Sequence, residues 1–302
     1  MKSFLNGIVS KERKKAIKMQ YGKLKGWTVR TFMSYDGRAM REHLVGMGIS
    51  ESDTVMVHAN FNPENGFRGN PIDVVEVFSD LLGTSGNLLM VSIPFRGSAY
   101  DHLMQKKPFR VRKTMSMMGM ITEIFRRKEG VLRSFHPTHP VLAYGKDSKW
   151  FVEGHESCLY PCGPGTPFDK FRQRNGKILF FDVGFGAITF FHHVEDLYKE
   201  KLPFPVYHEE IISTTGYDEA NEPREIRTYV FNRNLPRSAE KLEREMETKH
   251  FIRKSRIGNT RILLVRAEDV VTSMRDMIDS GNFPYEVDNH EINQPSQGGR
   301  HG

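Results

Sequence analysis

The sequence predicts an α/β fold in which a central, mostly parallel sheet is flanked by helices. An apolar run at residues 54–60 is followed by a helical pattern at 71–82 and a second apolar run at 87–93. Strand, helix and strand in this order form a crossover unit whose two strands are parallel. A third apolar run, 178–183, leads through a glycine turn into another helix. Ligands bind beyond the carboxyl ends of such strands, so we expect functional residues in the loops that follow them.

The remaining elements are predicted from turn residues and periodicity. Asn70 followed by Pro71 is typical of a helix start, and Gly83 marks the end of that helix. Two β-rich runs, 206–214 and 224–231, predict an antiparallel hairpin that is added to the main sheet near residues 205–232. Further stretches favour helices, at residues 36–47, 118–127 and 238–248.

The charge of the chain is concentrated at its N-terminal end. The 302 residues have a net charge of +7. Residues 11–30 contain eight Lys and Arg against one Glu, which is +7, so the rest sums to zero. This distribution argues against an enzyme that holds nucleic acid in a basic groove, and we expect no nucleic-acid partner.

We predict three regions: a basic N-terminal extension over 1–35, a single α/β domain over 36–285 and a flexible tail over 286–302. Residues 8–26 have helical spacing with a lysine-rich face, so they either pack on the domain or fray, or contact an anionic membrane surface. The sequence shows no signal peptide and no apolar run near 18 residues, which predicts a cytoplasmic protein with peripheral membrane contact as the alternative. The oligomeric state stays open, with a dimer among the options.

The two cysteines indicate a reducing compartment. His155, Cys158 and Cys162 offer three atoms of the kind that zinc binds, but no fourth ligand is evident nearby. We therefore expect no metal site.

The densest polar stretch of the chain lies at residues 133–140. It contains an arginine, a serine, a threonine and two histidines, with Pro137 and Pro140 holding the backbone out of a helix. Such a loop either carries chemistry and binding, or is a rigid connection whose histidines cap backbone groups.

Several motifs resemble the aminoglycoside 3-N-acetyltransferase family. The central ones are Met118-Gly119, Arg126-Arg127, Arg133-Ser134 and His136-Pro-Thr-His139. Other matching segments follow the order of the family's elements, at residues 56–59, 161–168, 191–195 and 251–271. The resemblance runs from about residue 38 to 280. Asn60-Phe61 departs from it, since the family usually has Ser-Leu there.

The resemblance implies direct acetyl transfer from acetyl-CoA to an amino group. His192 and Glu195 match the family's His-x-x-Glu motif, so His192 is the expected base and Glu195 orients it or the amine. A helix N-terminus also disfavours imidazolium, which keeps a histidine there neutral. A register shift by one would make His193 the base instead, and a lone histidine in a helix is more often simply packed.

The expected acetyl-CoA contacts come from the same resemblance. His136 and Ser134 are placed at the thioester end, with His136 also counted among the catalytic residues. The pantetheine and phosphates are expected at His58, Ala59, Asn60, Phe61, Met118, Gly119, Arg133, Pro137 and Thr138. A Ser134–His136 nucleophile pair that forms an acyl-enzyme is the competing mechanism.

The acceptor is predicted from a basic segment at residues 94–115. Arg110 and Arg112, together with His139, are the expected acceptor contacts. Six cations in this segment suit an anionic amino sugar, either nucleotide-linked or a polysaccharide precursor, better than a polycationic drug. The alternatives are an aminoglycoside acetyltransferase that confers antibiotic resistance and a non-catalytic module that binds CoA or a polyanion.

Overall fold

The computed structural model describes residues 28–29, 31–83 and 85–286, so the predicted helix over 8–26 and almost all of the predicted tail lie outside the described residues. The strands of this part are β1 (Thr54–Ala59), β2 (Asn87–Val91), β3 (Phe109–Arg110), β4 (Leu132–Arg133), β5 (Val141–Gly145), β6 (Lys177–Phe181), β7 (Ile212–Tyr217), β8 (Pro223–Thr228), β9 (Arg253–Ile257) and β10 (Thr260–Arg266). The α-helices are α1 (Gly37–Gly46), α2 (Pro71–Leu82), α3 (Ala99–Met104), α4 (Met120–Arg127), α5 (Ser148–Val152), α6 (Pro167–Gln173), α7 (Phe191–Tyr198), α8 (Ala239–Thr248) and α9 (Ala267–Asp279).

The main sheet has seven strands in the order β4-β5-β2-β1-β6-β10-β9. The predicted α/β class is confirmed, and the predicted parallel pairing of β1 with β2 is present. Parallel pairing is confined to the centre, where β1 also pairs with β6, and the outer neighbours are antiparallel. A short connection explains the antiparallel pairing of β9 with β10, because only Gly258 and Asn259 separate them and a two-residue turn can join only antiparallel strands.

The predicted hairpin is present as the antiparallel pair β7 and β8. The hairpin does not extend the main sheet, as the sequence suggested, but forms a second sheet with β3. The neighbouring edge strand of the main sheet, β4, pairs through only two residues, which is too short a template for a six-residue strand. Phe109, Val111, Phe135 and Ile226 form a separate small core at this second sheet.

Two hydrophobic cores lie on opposite faces of the main sheet. Side chains of β1 alternate between them, because Val55 and Val57 belong to one core and Met56 belongs to the other. The first core is completed by α1, α2 and α4, and the second by α6, α7, α8 and α9. Asn70 caps α2 through the predicted contacts with the first-turn N–H groups. No described helix has the length and apolar character to span a bilayer.

The loops that matter for function meet at one edge of the main sheet. The parallel strands β1, β2 and β6 all end there, and the N–H of Asn60 donates to the carbonyl of Phe181 across the gap. Strand β5 begins at the same edge, because Val141 faces Val91 in an antiparallel pair. The loop before β5 and the loop after β6 therefore lie at the same end of the main sheet.

Candidate active site

The centre of the site is a histidine–carboxylate pair on α7. His192 is the second residue of this helix, and its Nδ1 lies 2.6 Å from Oε2 of Glu195, one turn further along. The Glu195 side chain has no exposed surface, whereas the His192 side chain is 23% exposed. The ring thus spans from a buried carboxylate to the protein surface.

Glu195 is held as an ionised group by three neighbours. Nε of Arg237 lies 2.8 and 2.9 Å from the two carboxylate oxygens, and the Tyr285 hydroxyl donates to Oε1 at 2.7 Å. Burial alone would raise the pKa of Glu195, but the hydrogen bond with His192 and the charge of Arg237 outweigh it and lower the pKa. An ionised carboxylate only accepts, so Nδ1 of His192 carries the proton and Nε2 keeps its lone pair.

Aromatic side chains fix the plane of the His192 ring. The ring of Phe231 packs against it with a centroid distance of 4.3 Å. His139 meets the His192 ring edge-on at 5.7 Å and contacts Phe231 at 5.3 Å. The predicted acceptor residue His139 is therefore brought to the site.

His193 points away from this site. It is fully buried, its Nδ1 donates to the carbonyl of Cys162 at 2.7 Å, and burial lowers its pKa to about 4. Of the two adjacent histidines, only His192 reaches the aromatic surface of His139 and Phe231.

Ser134 is bonded to a different histidine from the one the sequence suggested. Nε2 of His155 donates to the carbonyl of Pro161 at 2.9 Å, so its Nδ1 accepts from the Ser134 hydroxyl at 2.8 Å. The Ser134 oxygen also accepts from the N–H of Val141, and both Ser134 and His155 are fully buried. This arrangement corrects the Ser134–His136 nucleophile pair, because the serine hydroxyl is buried and contacts His155 and Val141 rather than the His136 ring.

The contacts of His155 also show whether it is available to bind zinc together with Cys158 and Cys162. Burial lowers the pKa of His155 to about 3, and both of its ring nitrogens already have protein partners. No cluster of three or more His, Cys, Asp or Glu suited to a metal occurs within the described part of the chain.

Ser134→Ala should change stability more than catalysis. The substitution removes a buried acceptor from Val141 and a donor from His155, which costs about 1–3 kcal/mol of unfolding free energy. Turnover per folded molecule should stay within about tenfold, because no bond to the substrate is lost. Thermal unfolding and thiol-release assays measure the two effects. An acetyl adduct on Ser134 after incubation with labelled acetyl-CoA would contradict this prediction.

The rest of the polar loop is folded on itself. Nδ1 of His136 accepts from the N–H groups of Thr138 and His139 at 3.3 Å each, and the ring stacks on His155 at 4.5 Å. His136, Pro137 and Thr138 are buried. This differs from the expectation, which put His136 at the thioester and Pro137 and Thr138 at the pantetheine and phosphates, because all three shape the loop from inside. Of the loop's histidines, it is His139 that meets His192.

Arg133 also lies inside the protein. Its guanidinium donates to the carbonyls of Ser92, Val111 and Thr114, and the residue is buried. Both terminal nitrogens make carbonyl contacts, and Nε is buried with no partner among the described residues. This burial against the backbone corrects the expected role of Arg133 in binding phosphate. Arg133 instead holds the segment after β3 against the main sheet.

Other expected acetyl-CoA residues do line the sheet edge. Helix α4 begins after Gly119, whose φ is +117°, and no side chain caps its first N–H groups. Asn60 is exposed at the end of β1, and Phe61 is partly buried beside it. Large apolar side chains are exposed around the helix start, namely Met115, Met117 and Met120. Open N–H groups suit phosphate and apolar surface suits pantetheine, so these residues fit acetyl-CoA.

His58 and Ala59 are part of β1 rather than of the surface. Both are buried, the His58 ring stacks on Phe180 at 5.3 Å, and burial lowers its pKa to about 4. Nε2 of His58 has no partner among the described residues. Any contact that these two residues make with a ligand must come through the end of the strand.

Arg110 and Arg112 are not brought to His192. The Arg110 guanidinium stacks on Tyr217 at 3.6 Å, and Arg112 pairs with Glu219 at 2.7 Å. Both contacts lie at the turn end of the hairpin. Phe231 lies beyond its opposite end, about 17 Å away along a six-residue strand. Spacing along the chain could not show that these cations pair with the hairpin.

Three residues of the site were not singled out from the sequence: Phe231, Arg237 and Tyr285. Phe231 was placed only within a β-rich run. Arg237 and Tyr285 follow prolines in segments without periodicity, and nothing in the local pattern connects either to α7. Only the folded chain places them around the histidine–carboxylate pair.

Comparison with known proteins gives consistent matches. The family model for aminoglycoside 3-N-acetyltransferase matches residues 56–279. An SPbeta prophage-derived aminoglycoside N(3')-acetyltransferase-like protein of Bacillus subtilis (strain 168) is 24% identical over 174 residues, covering 52% of this chain and 64% of that protein. Two aminoglycoside N(3)-acetyltransferases of Streptomyces are matched over 58% and 59% of their length, so the matches span about three fifths of these relatives.

Solved structures share the fold. The crystal structure of aminoglycoside acetyltransferase AAC(3)-Xa has a TM-score of 0.71 and 22% identity, covering 85% of this chain and 98% of that one. AAC-IIIb in a binary complex with CoASH has a TM-score of 0.69 and 19% identity, covering 82% of this chain and 97% of that one. The family match extends over most of the chain and confirms the resemblance found in the sequence. The chain therefore belongs to the aminoglycoside 3-N-acetyltransferase family.

Proposed function

We propose that this protein is an N-acetyltransferase that transfers the acetyl group of acetyl-CoA to an amino group of an amino sugar, with His192 as general base. The observation that carries the proposal is the 2.6 Å contact between His192 and the buried Glu195. Glu195 fixes the tautomer that leaves Nε2 free to accept a proton. Membership in the family supplies the reaction class.

The geometry supports direct transfer. His192 Nε2 accepts the proton that the amine loses as its nitrogen attacks the thioester carbon, and the carbon–sulfur bond then breaks. Glu195 stabilises the imidazolium formed in this step, because its negative charge lies against Nδ1. The departing thiolate takes the proton back from His192. Ser134 takes no part, since its hydroxyl is buried against His155.

Acetyl-CoA is proposed to lie across the sheet edge between the start of α4 and the end of β1. The uncapped N–H groups after Gly119 suit a phosphate, and the exposed methionines suit pantetheine. A related structure holds CoASH. Of the residues expected from the sequence, we retain Asn60, Phe61, Met118 and Gly119 as contacts.

For the acceptor, an aminoglycoside is better supported than a nucleotide-linked sugar. The relatives are named as aminoglycoside acetyltransferases. Two of the six cations that favoured an anionic acceptor lie elsewhere, since Arg112 pairs with Glu219 and Arg110 stacks on Tyr217. The guanidinium at the histidine–carboxylate pair, Arg237, is bound to Glu195. We therefore replace the anionic acceptor with a polycationic amino sugar.

Thiol release with a panel of acceptors tests this assignment. We expect turnover with kanamycin- or gentamicin-type aminoglycosides and a lower kcat/KM with sugar phosphates and nucleotide-linked amino sugars. Arg112→Ala serves as the matched control and should leave the acceptor preference unchanged, because Arg112 contacts Glu219 and not the site. A preference for anionic acceptors that Arg112→Ala abolishes would overturn the assignment. Acetyl-CoA binding without turnover on any acceptor would instead indicate a non-catalytic module.

A further inference from the structure

The chain after α9 returns to the site through a short backbone pairing. The N–H of Ser238 donates to the carbonyl of Pro284 at 2.9 Å, and the N–H of Glu286 donates to the carbonyl of Pro236 at 2.7 Å. The ammonium of Lys241 donates to the carbonyl of Tyr285. We call the paired segments 236–238 and 283–286 the C-terminal clamp.

The clamp brings two side chains to the same carboxylate. Arg237 and Tyr285 are the paired residues of its antiparallel bridge, so their side chains lie next to each other. Both contact Oε1 of Glu195, at 2.8 and 2.7 Å. The Tyr285 ring is fully buried and packs edge-on against Phe204 at 4.6 Å. Because its hydroxyl is out of solvent and faces a carboxylate, Tyr285 is a neutral donor.

This contact lies outside the part of the chain that identifies the family. The family match ends at residue 279, and Tyr285 follows it. The family assignment therefore says nothing of this residue. Its position is set by the clamp, which is a feature of this chain's own structure.

We propose that Tyr285 is a positioning residue for the acetyl transfer. Its hydroxyl holds Oε1, which turns Oε2 toward Nδ1 of His192. The proposal rests on the proposed function only in naming the reaction that is affected. Without the phenol, Oε2 would be held less firmly against Nδ1, so Glu195 would stabilise the charged imidazole less and His192 would be protonated only at lower pH.

Other charged or titratable groups surround this unit and stay in place when the Tyr285 hydroxyl is removed. They come from α7 and from the loops packed against it: Arg237, His139, Asp196, Cys162 and Tyr207. Tyr207 is a useful comparison, because its hydroxyl donates at 2.5 Å to Asp196, the residue after Glu195. The two tyrosines thus make equivalent contacts with adjacent carboxylates, and only one of these carboxylates contacts His192.

The test compares Tyr285→Phe with Tyr207→Phe by NMR titration of the histidine side chains, with His192→Gln used to assign the signal. We expect Tyr285→Phe to move the His192 midpoint down by about half a pH unit and Tyr207→Phe to leave it in place. The phenylalanine keeps the ring packing, and thermal unfolding checks that both variants are folded. An unmoved His192 midpoint in folded Tyr285→Phe would overturn the proposal.

Kinetics give the second readout and separate this proposal from the proposed function. Tyr285→Phe should lower kcat about tenfold and shift the acid limb of kcat/KM in the same direction as the NMR midpoint, with the KM for acetyl-CoA within about twofold. Absence of turnover in the parent protein would reject the proposed function but leave the NMR test intact. A fall in kcat without a shift of the acid limb would indicate a structural role only and would overturn the positioning role.

Discussion

Replacing His192 by alanine is expected to lower kcat at least about a hundredfold, because the attacking amine loses the group that accepts its proton. Binding of acetyl-CoA should persist, since the surface proposed for it lies at α4 and the end of β1. The loss should also leave Glu195 buried with Arg237 and Tyr285, so the charge stays compensated and the fold survives. Thiol-release kinetics and calorimetric titration with CoA measure the two parts.

His193→Ala is the matched control for this experiment. His193 is adjacent and buried, and its substitution removes the donor to the Cys162 carbonyl. It should lower the thermal stability while leaving turnover per folded molecule near the parent value. The reverse pattern, with His193→Ala inactive and His192→Ala active, would assign the base to the other residue. Activity in both variants would reject a histidine base altogether.

Acidification from pH 7 to pH 5 is expected to lower the free energy of unfolding by several kcal/mol. Burial lowers the pKa of His58 and His193 to about 4 and that of His155 to about 3. Burial also lowers the pKa values of His136 and His139 well below the ordinary range. These side chains are therefore neutral in the folded protein at pH values where the unfolded chain protonates them.

The direction in which stability changes with pH follows from the number of protons that the folded and unfolded states bind. Below the unfolded pKa of about 6.5, the unfolded chain binds more protons than the folded protein, so stability falls as the pH falls. At pH 5 each such histidine costs about 2 kcal/mol, and His58, His155 and His193 together cost about 6 kcal/mol. That is comparable with the whole unfolding free energy of a typical domain, about 5–15 kcal/mol.

Asp196 has the opposite effect on stability when the pH falls, and it therefore provides a control. Burial is the main cause that raises its pKa to about 7, so between pH 7 and 5 the folded protein binds a proton there and gains stability. This gain offsets about one histidine. Asp196→Asn removes the gain, so its melting temperature should fall more steeply on acidification than that of the parent. Melting curves from pH 5 to 8 at constant ionic strength test both statements, and a flat parent profile would contradict them.

The elements with strong local signals could be predicted from the sequence. The Asn70-Pro71 start of α2 and the apolar strands around it needed only local capping and periodicity. His192 and Glu195 were chosen because they match the family's His-x-x-Glu motif. A three-residue spacing on a helix then brings the two side chains together without any tertiary contact. The loop of residues 133–140 was singled out by its composition, and the structure places it at the carboxyl ends of the parallel strands because β5 begins there.

The roles of residues within that loop depended on tertiary contacts. Ser134 and His136 are two residues apart, yet the partner of Ser134 is His155, which a separate short helix supplies. Arg133 looked like a phosphate ligand because sequence does not show that backbone carbonyls surround it. Arg110 and Arg112 were expected to contact the acceptor for a related reason. The sequence does not show that their partners lie on a hairpin more than a hundred residues away.

The C-terminal clamp has a consequence for biosynthesis. The ribosome makes His139, His192 and Arg237 before it makes Tyr285. Until the segment after α9 has been synthesised and has docked, Glu195 lacks the hydrogen bond from Tyr285. It also lacks the covering that this segment provides in the mature protein. The histidine–carboxylate pair therefore reaches its final form late in the maturation of the chain. A substitution that slows docking of this segment would delay the appearance of activity after synthesis while leaving the mature protein unchanged.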